Sequence, residues 1–454
     1  MNVLLNKAFN KLGIASSRTK NIARHIGWSL VFKGGSILAN FMMVPLAINY
    51  LSTEKYGIWL TLTSFIGWFS IFDIGLGNGL RNKFAEAKAV NDVEKAKGMV
   101  STAYFTIGVM SMALFLLFFL ANFFIDWTKV FNTSDSLRQE LGVLMPLVFG
   151  FFALQLIAKL ITSVYLADQS HSIQDRVQFF TQTSILLAIW LITKTGGSTL
   201  LLFGTLFSAL PVLVLVALNF IAFNGRFKAF KPEYKTVSRN YFKDITGLGS
   251  RFFVVQTAAM VMFTTDSFII SQLFSPREVV PYNVAFKYFS IATMAYTILI
   301  TPFWSSFTEA YAKKDFDWIK KTVTNIQKIW LLVPLALIVM VVSANWFYKI
   351  WVGGTVQVPI LLTITMAVFV AMTTYNMVYV NFINGVGKIK IQLITSIISM
   401  LINIPISIVF AKYFNWGITG VMLATCFCMS YGVVLRPVQY FMIINNRAKG
   451  IWNK

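Results

Sequence analysis

Seven ionisable side chains lie inside stretches that are otherwise apolar for about the width of a bilayer: Lys33, Lys159, Arg251, Lys287, Arg436, Asp73 and Asp266. A charge in hydrocarbon is costly, so such residues face a bundle interior or a wet cavity and pair, relay ions or hold a charged cargo. Five of the seven are basic, which points to the holding of an anion. Arg251 is the first candidate for holding such an anion. A guanidinium stays charged when buried and forks onto two phosphate oxygens, and no acid is spaced to reach its depth. Lys33 and Lys287 are the next candidates. Asp73 and Asp266 are the candidate ion-coupling carboxylates, because intramembrane acids commonly relay protons or ions.

Depth follows from about 1.5 Å of rise per residue. Lys33 lies seven residues past the cytoplasmic start of its stretch, and Asp73 seven before the cytoplasmic end of the next. Both are then roughly 10 Å deep on one side. Asp266 and Lys287 match in the same way near the opposite side. The spacing predicts one acid–base pair on the first two helices of each half. Protonation or Na⁺ binding at the carboxylate would free the lysine to hold an anion. The alternatives are that the pairs only tie helices together, or that the lysines snorkel to the headgroups. Snorkelling is also the alternative for Arg251. It is the expectation for Lys159 and Arg436, which lie near cytoplasmic ends. His171 reads as solvated in a short loop and His25 as a headgroup contact. Asn40, Gln155, Gln256, Thr374, Gln392 and Asn403 are polar positions from which cavity-facing groups could be drawn.

The elements that must position these groups are helices. Twelve apolar stretches, each near the roughly 20 residues a spanning helix needs, cover 26–50, 56–80, 99–125, 140–166, 177–194, 198–222, 245–273, 281–307, 326–349, 357–382, 391–413 and 417–444. Hydrophobic residues make up 57% of the chain and charged residues 12%, about half the charge of a typical soluble protein. The expected class is an all-α membrane protein of twelve transmembrane helices. The net charge of +22 does not indicate nucleic acid, because the bases fall in alternate loops. With the span ends that adjoin them, loops on one side hold 27 of the 39 Lys and Arg, and those on the other hold seven. Positive loops stay cytoplasmic, so both termini are expected on the cytoplasmic side of the membrane. Tyr50, Tyr56, Trp59, Trp127, Trp346, Trp351 and Trp416 flank the outer ends and read as interface anchors. Cys426 and Cys428 read as packing residues, and no metal ligand set is present. Residues 1–25 form a basic cytoplasmic lead-in that does not resemble a signal peptide.

A basic linker, 223–244, divides the chain into a 26–222 six-helix bundle and a 245–444 six-helix bundle, with 445–454 as a cytoplasmic tail. The halves echo each other. Phe84-Ala-Glu86-Ala87-Lys-Ala89-Val-Asn-Asp92 and Phe307-Thr-Glu309-Ala310-Tyr-Ala312-Lys-Lys-Asp315 lie 223 residues apart and agree at five of nine positions. Two halves of like orientation form a parallel repeat, of the kind that binds substrate between its halves and rocks them for alternating access. The glycines Gly34, Gly35, Gly75, Gly77 and Gly79 read as close helix contacts. They are not a nucleotide loop, because no strand or P-loop lysine motif accompanies them.

The run Leu51-Ser-Thr-Glu-Lys-Tyr56-Gly57-Ile-Trp59, followed by Trp68-Phe-Ser-Ile-Phe-Asp73-Ile-Gly75-Leu-Gly77-Asn78-Gly79-Leu-Arg81-Asn82-Lys83, resembles Wzx-type O-antigen and polysaccharide flippases. These belong to the multidrug/oligosaccharidyl-lipid/polysaccharide exporter superfamily. The likeness is specific over residues 50–100 and elsewhere rests on length, span number and layout. It implies two six-helix bundles in a V around a cavity that is often cationic. It also implies an undecaprenyl-diphosphate-linked glycan as cargo, moved from inner to outer leaflet, with membrane lipids and the glycan polymerase machinery as partners. No cofactor is expected beyond H⁺ or Na⁺ coupling, and no catalytic motif carries over.

Two other functions compete with a flippase. A cation-coupled multidrug exporter of the same fold would favour acids in its cavity, and only Asp73 and Asp266 are available. A polytopic glycosyltransferase or glycan polymerase would carry a sizeable outer loop with catalytic groups. Here the longest outer loop, about 126–139, holds no nucleophile, metal cluster or nucleotide motif.

Overall fold

The computed structural model of the chain describes residues 17–69, 76–89, 91–168, 170, 172–194, 197–246, 264–300, 303, 307, 310–311 and 313–453. Among these residues the structure is helical and contains no strand. The helices are α1 Ser17–Phe69, α2 Leu76–Ala89, α3 Val93–Asn122, α4 Trp127–Phe131, α5 Arg138–Ala167, α6 Ile173–Ile192, α7 Leu200–Asn224, α8 Arg239–Thr246, α9 264–273, α10 Pro276–Ile300, α11 Phe316–Trp330, α12 Leu332–Val352, α13 Ile360–Val386, α14 Lys390–Ile408 and α15 Gly417–Ile444. Eight helical segments among the described residues are long and apolar enough to cross a membrane. The first, Val31–Phe69, has 39 residues, more than one bilayer width at about 1.5 Å per residue. It is broken at Ser52, whose φ of 73° leaves the helical region, inside the expected turn 51–55. α6 and α10 stand where 177–194 and 281–307 are expected. They are more polar than a simple span: α6 opens with Gln174, Asp175 and Arg176, and α10 carries Asn283, Lys287 and three tyrosines. Most of the expected span 245–273 lies outside the described residues.

The chain divides into two compact units. The first comprises Met1–Ser52, Ser70–Thr128 and Ser134–Phe253. Its core joins Leu80, Phe84, Met99, Val100, Ile107, Leu160, Ile161, Phe223, Phe227 and Ile245. Polar groups tie its helices together at membrane depth. Asn219 of α7 donates to Ala158 O of α5 at 2.7 Å and accepts from Tyr104 OH of α3 at 2.5 Å. At one end of the unit, Asp168 caps α5 and is clamped by Lys88 and Arg226. The linker is pinned along α3. Lys97 pairs with Glu233, Glu233 N donates to Ser101 Oγ at 3.0 Å, and Ser238 N donates to Thr102 Oγ1 at 3.1 Å. The hydrogen bond from Lys97 holds the Glu233 carboxyl below its usual range.

The second unit comprises Thr53–Phe69, Lys129–Thr133 and Val254–Lys454. α15 lies at its heart, with 61% of its most apolar window buried. The second half of α1 joins this unit through Gly57. A side chain there would meet Pro276 O at 1.8 Å, so only glycine allows the approach. Trp68 meets Phe268 edge-on at 5.4 Å, and Ser271 Oγ donates to Phe131 O at 2.9 Å. Close approach also explains Gly79 in the first unit, where a Cβ would stand 2.0 Å from Ile245 O.

The sequence echo is repeated in the backbone of both units. Asn91 and Lys314, 223 positions apart, both turn through positive φ, 57° and 58°. Asp92 N donates to Ala87 O at 3.0 Å, and Asp315 N to Ala310 O at 2.9 Å. Each aspartate then caps the helix that follows, accepting from Lys95 N at 2.9 Å and from Trp318 N at 3.1 Å. Phe84 and Phe307, 223 apart, are both fully buried.

Four of the expected interface aromatics are instead packing residues. Tyr50, Tyr56, Trp59 and Trp127 are 7%, 5%, 2% and 3% exposed. Trp127 stacks on Phe118 and donates to Asn122 Oδ1 at 2.7 Å. Trp346 and Trp416 are exposed, as interface anchors would be. Cys426 and Cys428 are free and buried.

The Gly57 contact yields a stability prediction. Gly57→Ala should destabilise the purified protein by about 3 kcal/mol, the upper range for overpacking, while Gly108→Ala, with open space around it, should cost little. Melting temperatures in detergent compare the two, and an equal effect would contradict the close approach.

Candidate functional site

The carboxylate of Asp266 on α9 is 2% exposed. Tyr282 OH of α10 donates to its Oδ2 at 2.5 Å. Thr425 Oγ1 of α15 donates to the same carboxylate at 3.3 Å, and Asn403 Nδ2 of α14 donates to Thr425 Oγ1 at 3.1 Å. Four helices thus converge on one acid through a relay of neutral donors. The helix hairpin explains the first contact. α9 and α10 are joined by a tight turn, so Tyr282 returns to the level of Asp266, and Asn283 Nδ2 reaches Ser267 Oγ at 3.2 Å in the same register. Ser399 Oγ donates to Cys428 O at 2.9 Å and fixes α14 against α15. Two buried oxygens near this relay lack hydrogen-bond partners: Asn403 Oδ1 and, one turn along α14, Ser407 Oγ.

The expected Asp266–Lys287 pair does not form. Lys287 is half-buried and has no ion-pair partner among the described residues. It lies five residues beyond Tyr282, about 7 Å along the axis and about 140° around it. Matching depth from span ends ignores this helical phase. Lys33 is half-buried on α1 and likewise has no ion pair among the described residues. Its neighbour Phe32 packs on Phe179 at 5.5 Å and carries the Arg176 guanidinium 5.6 Å from its ring centre. Arg251 and Asp73 lie outside the described residues.

Arg436 was expected to snorkel, and its side chain runs toward the N-terminal end of α15. Its guanidinium lies over Gly432, with Cζ 3.3 Å from where a glycine Cβ would stand. The side chain therefore runs back one turn, toward the middle of the 28-residue α15. Among the polar span residues, Thr374 is consumed in packing, accepting from Trp330 Nε1 at 3.0 Å and donating to Val370 O at 2.7 Å. Sequence reasoning missed Tyr282 and Thr425, since a tyrosine or threonine in an apolar run carries no signal of its own. The hairpin turn near 274–276 is the feature that brings position 282 back to 266.

The fold and the apolar helices define a multi-pass membrane protein of transporter architecture. The model of the polysaccharide biosynthesis protein family matches residues 22–308, and the chain belongs to that family. A putative O-antigen transporter of Salmonella typhi is 21% identical over 411 residues, covering 89% of this chain and 92% of that protein. A putative O-antigen export protein of Yersinia pseudotuberculosis is 22% identical, covering 91% and 93%. Among solved structures, an inward-facing multidrug resistance MATE family transporter of the MOP superfamily aligns with a TM-score of 0.77 at 15% identity, over 93% of this chain and 98% of that one. A MATE protein in complex with MaD3S aligns with a TM-score of 0.64 at 14% identity, over 94% and 97%. These structures share the fold. The family match and the relatives bear out the resemblance to Wzx-type flippases of the multidrug/oligosaccharidyl-lipid/polysaccharide exporter superfamily.

The relay makes a prediction about coupling between its members. Tyr282→Phe should cost about 1–3 kcal/mol, because a buried acceptor loses a donor. The loss should shrink when Asp266→Asn is already present. A double-mutant cycle on thermal stability reads the coupling, and strictly additive effects would show that the two groups do not act on each other.

Proposed function

We propose that the protein is a flippase that carries an undecaprenyl-diphosphate-linked oligosaccharide, an O-antigen or related polysaccharide repeat unit, from the inner to the outer leaflet by alternating access. Twelve helices in two six-helix bundles, in a bacterial inner membrane with both termini cytoplasmic, complete this reading. One observation carries it. Lys33, Lys287 and Arg436 are cations at membrane depth that form no ion pair among the described residues, and a cation in hydrocarbon needs an anion. A diphosphate supplies one. Arg251, with Lys33 and Lys287, is the proposed diphosphate-binding set. The names of the relatives, O-antigen transporter and export protein, agree with such a cargo.

Asp266 is the proposed ion-coupling residue of the second unit, and Asp73 its counterpart in the first. A buried anion with only neutral donors is costly. A proton or Na⁺ neutralises it, and the unpaired oxygens of Asn403 and Ser407 suit a hard cation. The multidrug-exporter alternative is weaker, because Asp266 is enclosed by Tyr282 and Thr425 and not offered to an organic cation. The glycan assembly machinery, polymerase included, is the proposed partner on the far side of transport.

Proteoliposomes carrying a labelled undecaprenyl-diphosphate glycan in one leaflet test the proposal. Wild-type protein should move the label to the other leaflet, and Arg251→Ala should lower the rate at least about tenfold, as loss of a charge-assisted diphosphate contact would. No movement by the wild type, with or without an imposed H⁺ or Na⁺ gradient, would reject it.

A further inference from the structure

We infer that an exposed polar stripe on α11, formed by Lys320, Thr324, Asn325 and Lys328, is a docking surface for a short acidic segment of a partner protein, which lies on α11 as the linker lies on α3. The inference stands apart from the identity of the cargo.

The internal repeat supplies the template. α3 and α11 start from equivalent capping aspartates, Asp92 and Asp315, and both run on as continuous helix. The offset of 223 residues therefore carries along the two helices. On α3 the linker crosses with extended residues on either side of the single 3-10 turn Tyr234–Thr236. Glu233 pairs with Lys97, its N–H donates to Ser101 Oγ at 3.0 Å, and Ser238 N donates to Thr102 Oγ1 at 3.1 Å. Tyr234 meets Phe105 edge-on at 5.4 Å. Under this cover Ser101 and Thr102 are each 2% exposed.

The equivalent positions on α11 are chemically alike and uncovered. Lys97, Ser101 and Thr102 correspond to Lys320, Thr324 and Asn325. The cation is the same, one hydroxyl replaces another, and an amide oxygen replaces the second hydroxyl oxygen as acceptor. All three are exposed, and Lys320 forms no ion pair among the described residues. Ile319, Val323 and Ile326 form the buried face of α11, and Thr324 lies about 160° around the helix from Ile326. The stripe is also clear of hydrocarbon. Leu332–Val352 has 21 residues, enough to span by itself, which leaves α11 at or beyond the membrane surface. A solvated helix face accounts for the lysines alone. It does not account for the recurrence, beside the same cation, of two acceptors that in the first unit receive backbone N–H groups.

The charge around the stripe suits an acid. A cleft of about 500 Å³ opens beside Lys320, and its lining includes Lys314, Arg447, Asp315 and Asp317. Asp315 is spent on capping α11, so three bases face one uncommitted acid. Two differences between the helices define the occupant further. Phe105 is replaced by Lys328, so the residue in the place of Tyr234 should be acidic as well. Gly98 seats the ring of Tyr241, which a Cβ there would meet at 2.3 Å, and it is replaced by Lys321. The match therefore stops before the part of the linker that forms α8. The occupant is a segment with two adjacent acids. Neither the first acid's position nor the fifth after it is proline, because both must donate a backbone N–H.

The test uses full-length protein in phosphatidylcholine nanodiscs and a capped, fluorescent peptide. Its sequence is that of Phe230–Ser238 with Lys231→Gln, Tyr234→Glu and Lys235→Gln, and a scrambled peptide of the same composition is the control. The peptide should bind wild-type protein at least about tenfold more tightly than the control, and Lys320→Glu should raise its Kd by about tenfold or more, since a charge-assisted contact becomes a like-charge one. A peptide that also carries Glu233→Lys should recover that loss on the Lys320→Glu protein. Lys321→Glu, off the matched positions, and Lys97→Gln, which loosens the linker on α3, should each change the Kd less than about threefold, the range of a weak surface charge effect. No binding, equal binding of the scrambled peptide, or a Kd indifferent to Lys320→Glu overturns the inference. So does a loss as large with Lys321→Glu, which would mark general charge attraction, or dependence on Lys97, which would mark displacement of the linker. A stripe that holds lipid headgroups instead would show Lys320-dependent retention of phosphatidylglycerol and no Lys320-dependent peptide binding.

Discussion

Hydrocarbon offers no hydrogen bonds, and that constraint organises this molecule. Many of the described hydroxyls and amides within the helices are spent on a nearby carbonyl. Ser36, Thr61, Thr365 and Thr395 each donate to the carbonyl four residues back, and Asn219 binds α5 and α3 to α7. These bonds remove polarity from the helix surfaces. Among the groups left over, three kinds bear on transport: a carboxylate held by neutral donors, two unpaired oxygens beside its relay, and cations without an ion pair among the described residues. Stability alone gives no reason to keep them, since well-packed apolar residues often serve as well as buried charges.

The duplicated turn shows how the fold repeats while its chemistry diverges. Asp92 and Asp315 stop one helix and start the next with the same backbone bonds. The nearby polar anchors have opposite signs. In the first unit an acid, Asp168, is held by two bases. In the second a base, Lys388, bonds Tyr311 OH at 2.7 Å and Asn453. The repeated turn is conserved in geometry because a positive-φ residue and a capping aspartate are local requirements. The anchors are free to change because each needs only some complementary partner.

The helical class, the break near Ser52 and the repeat at 223 residues were legible because they depend on local composition and spacing. The close contacts at Gly57 and Gly79 were legible only as a general glycine reading, since the sequence does not say which backbone arrives. The site was half legible. Asp266 could be singled out by its cost in the membrane. Its partners could not, because depth was judged from span ends while azimuth depends on the hairpin register. That error paired Asp266 with Lys287 and overlooked Tyr282. Distance from a helix end likewise did not show that the Arg436 side chain runs back over Gly432, one turn earlier.

The account stands on Asp266 being a carboxylate whose neutralising partner exchanges. Infrared difference spectroscopy of the reconstituted protein reads this directly. A protonated-carboxyl band should be present without Na⁺ at mildly acidic pH, shift or vanish as pH or Na⁺ rises, and be missing in Asp266→Asn. A spectrum with no ion-sensitive carboxyl band, or one unaltered by Asp266→Asn, would contradict the account.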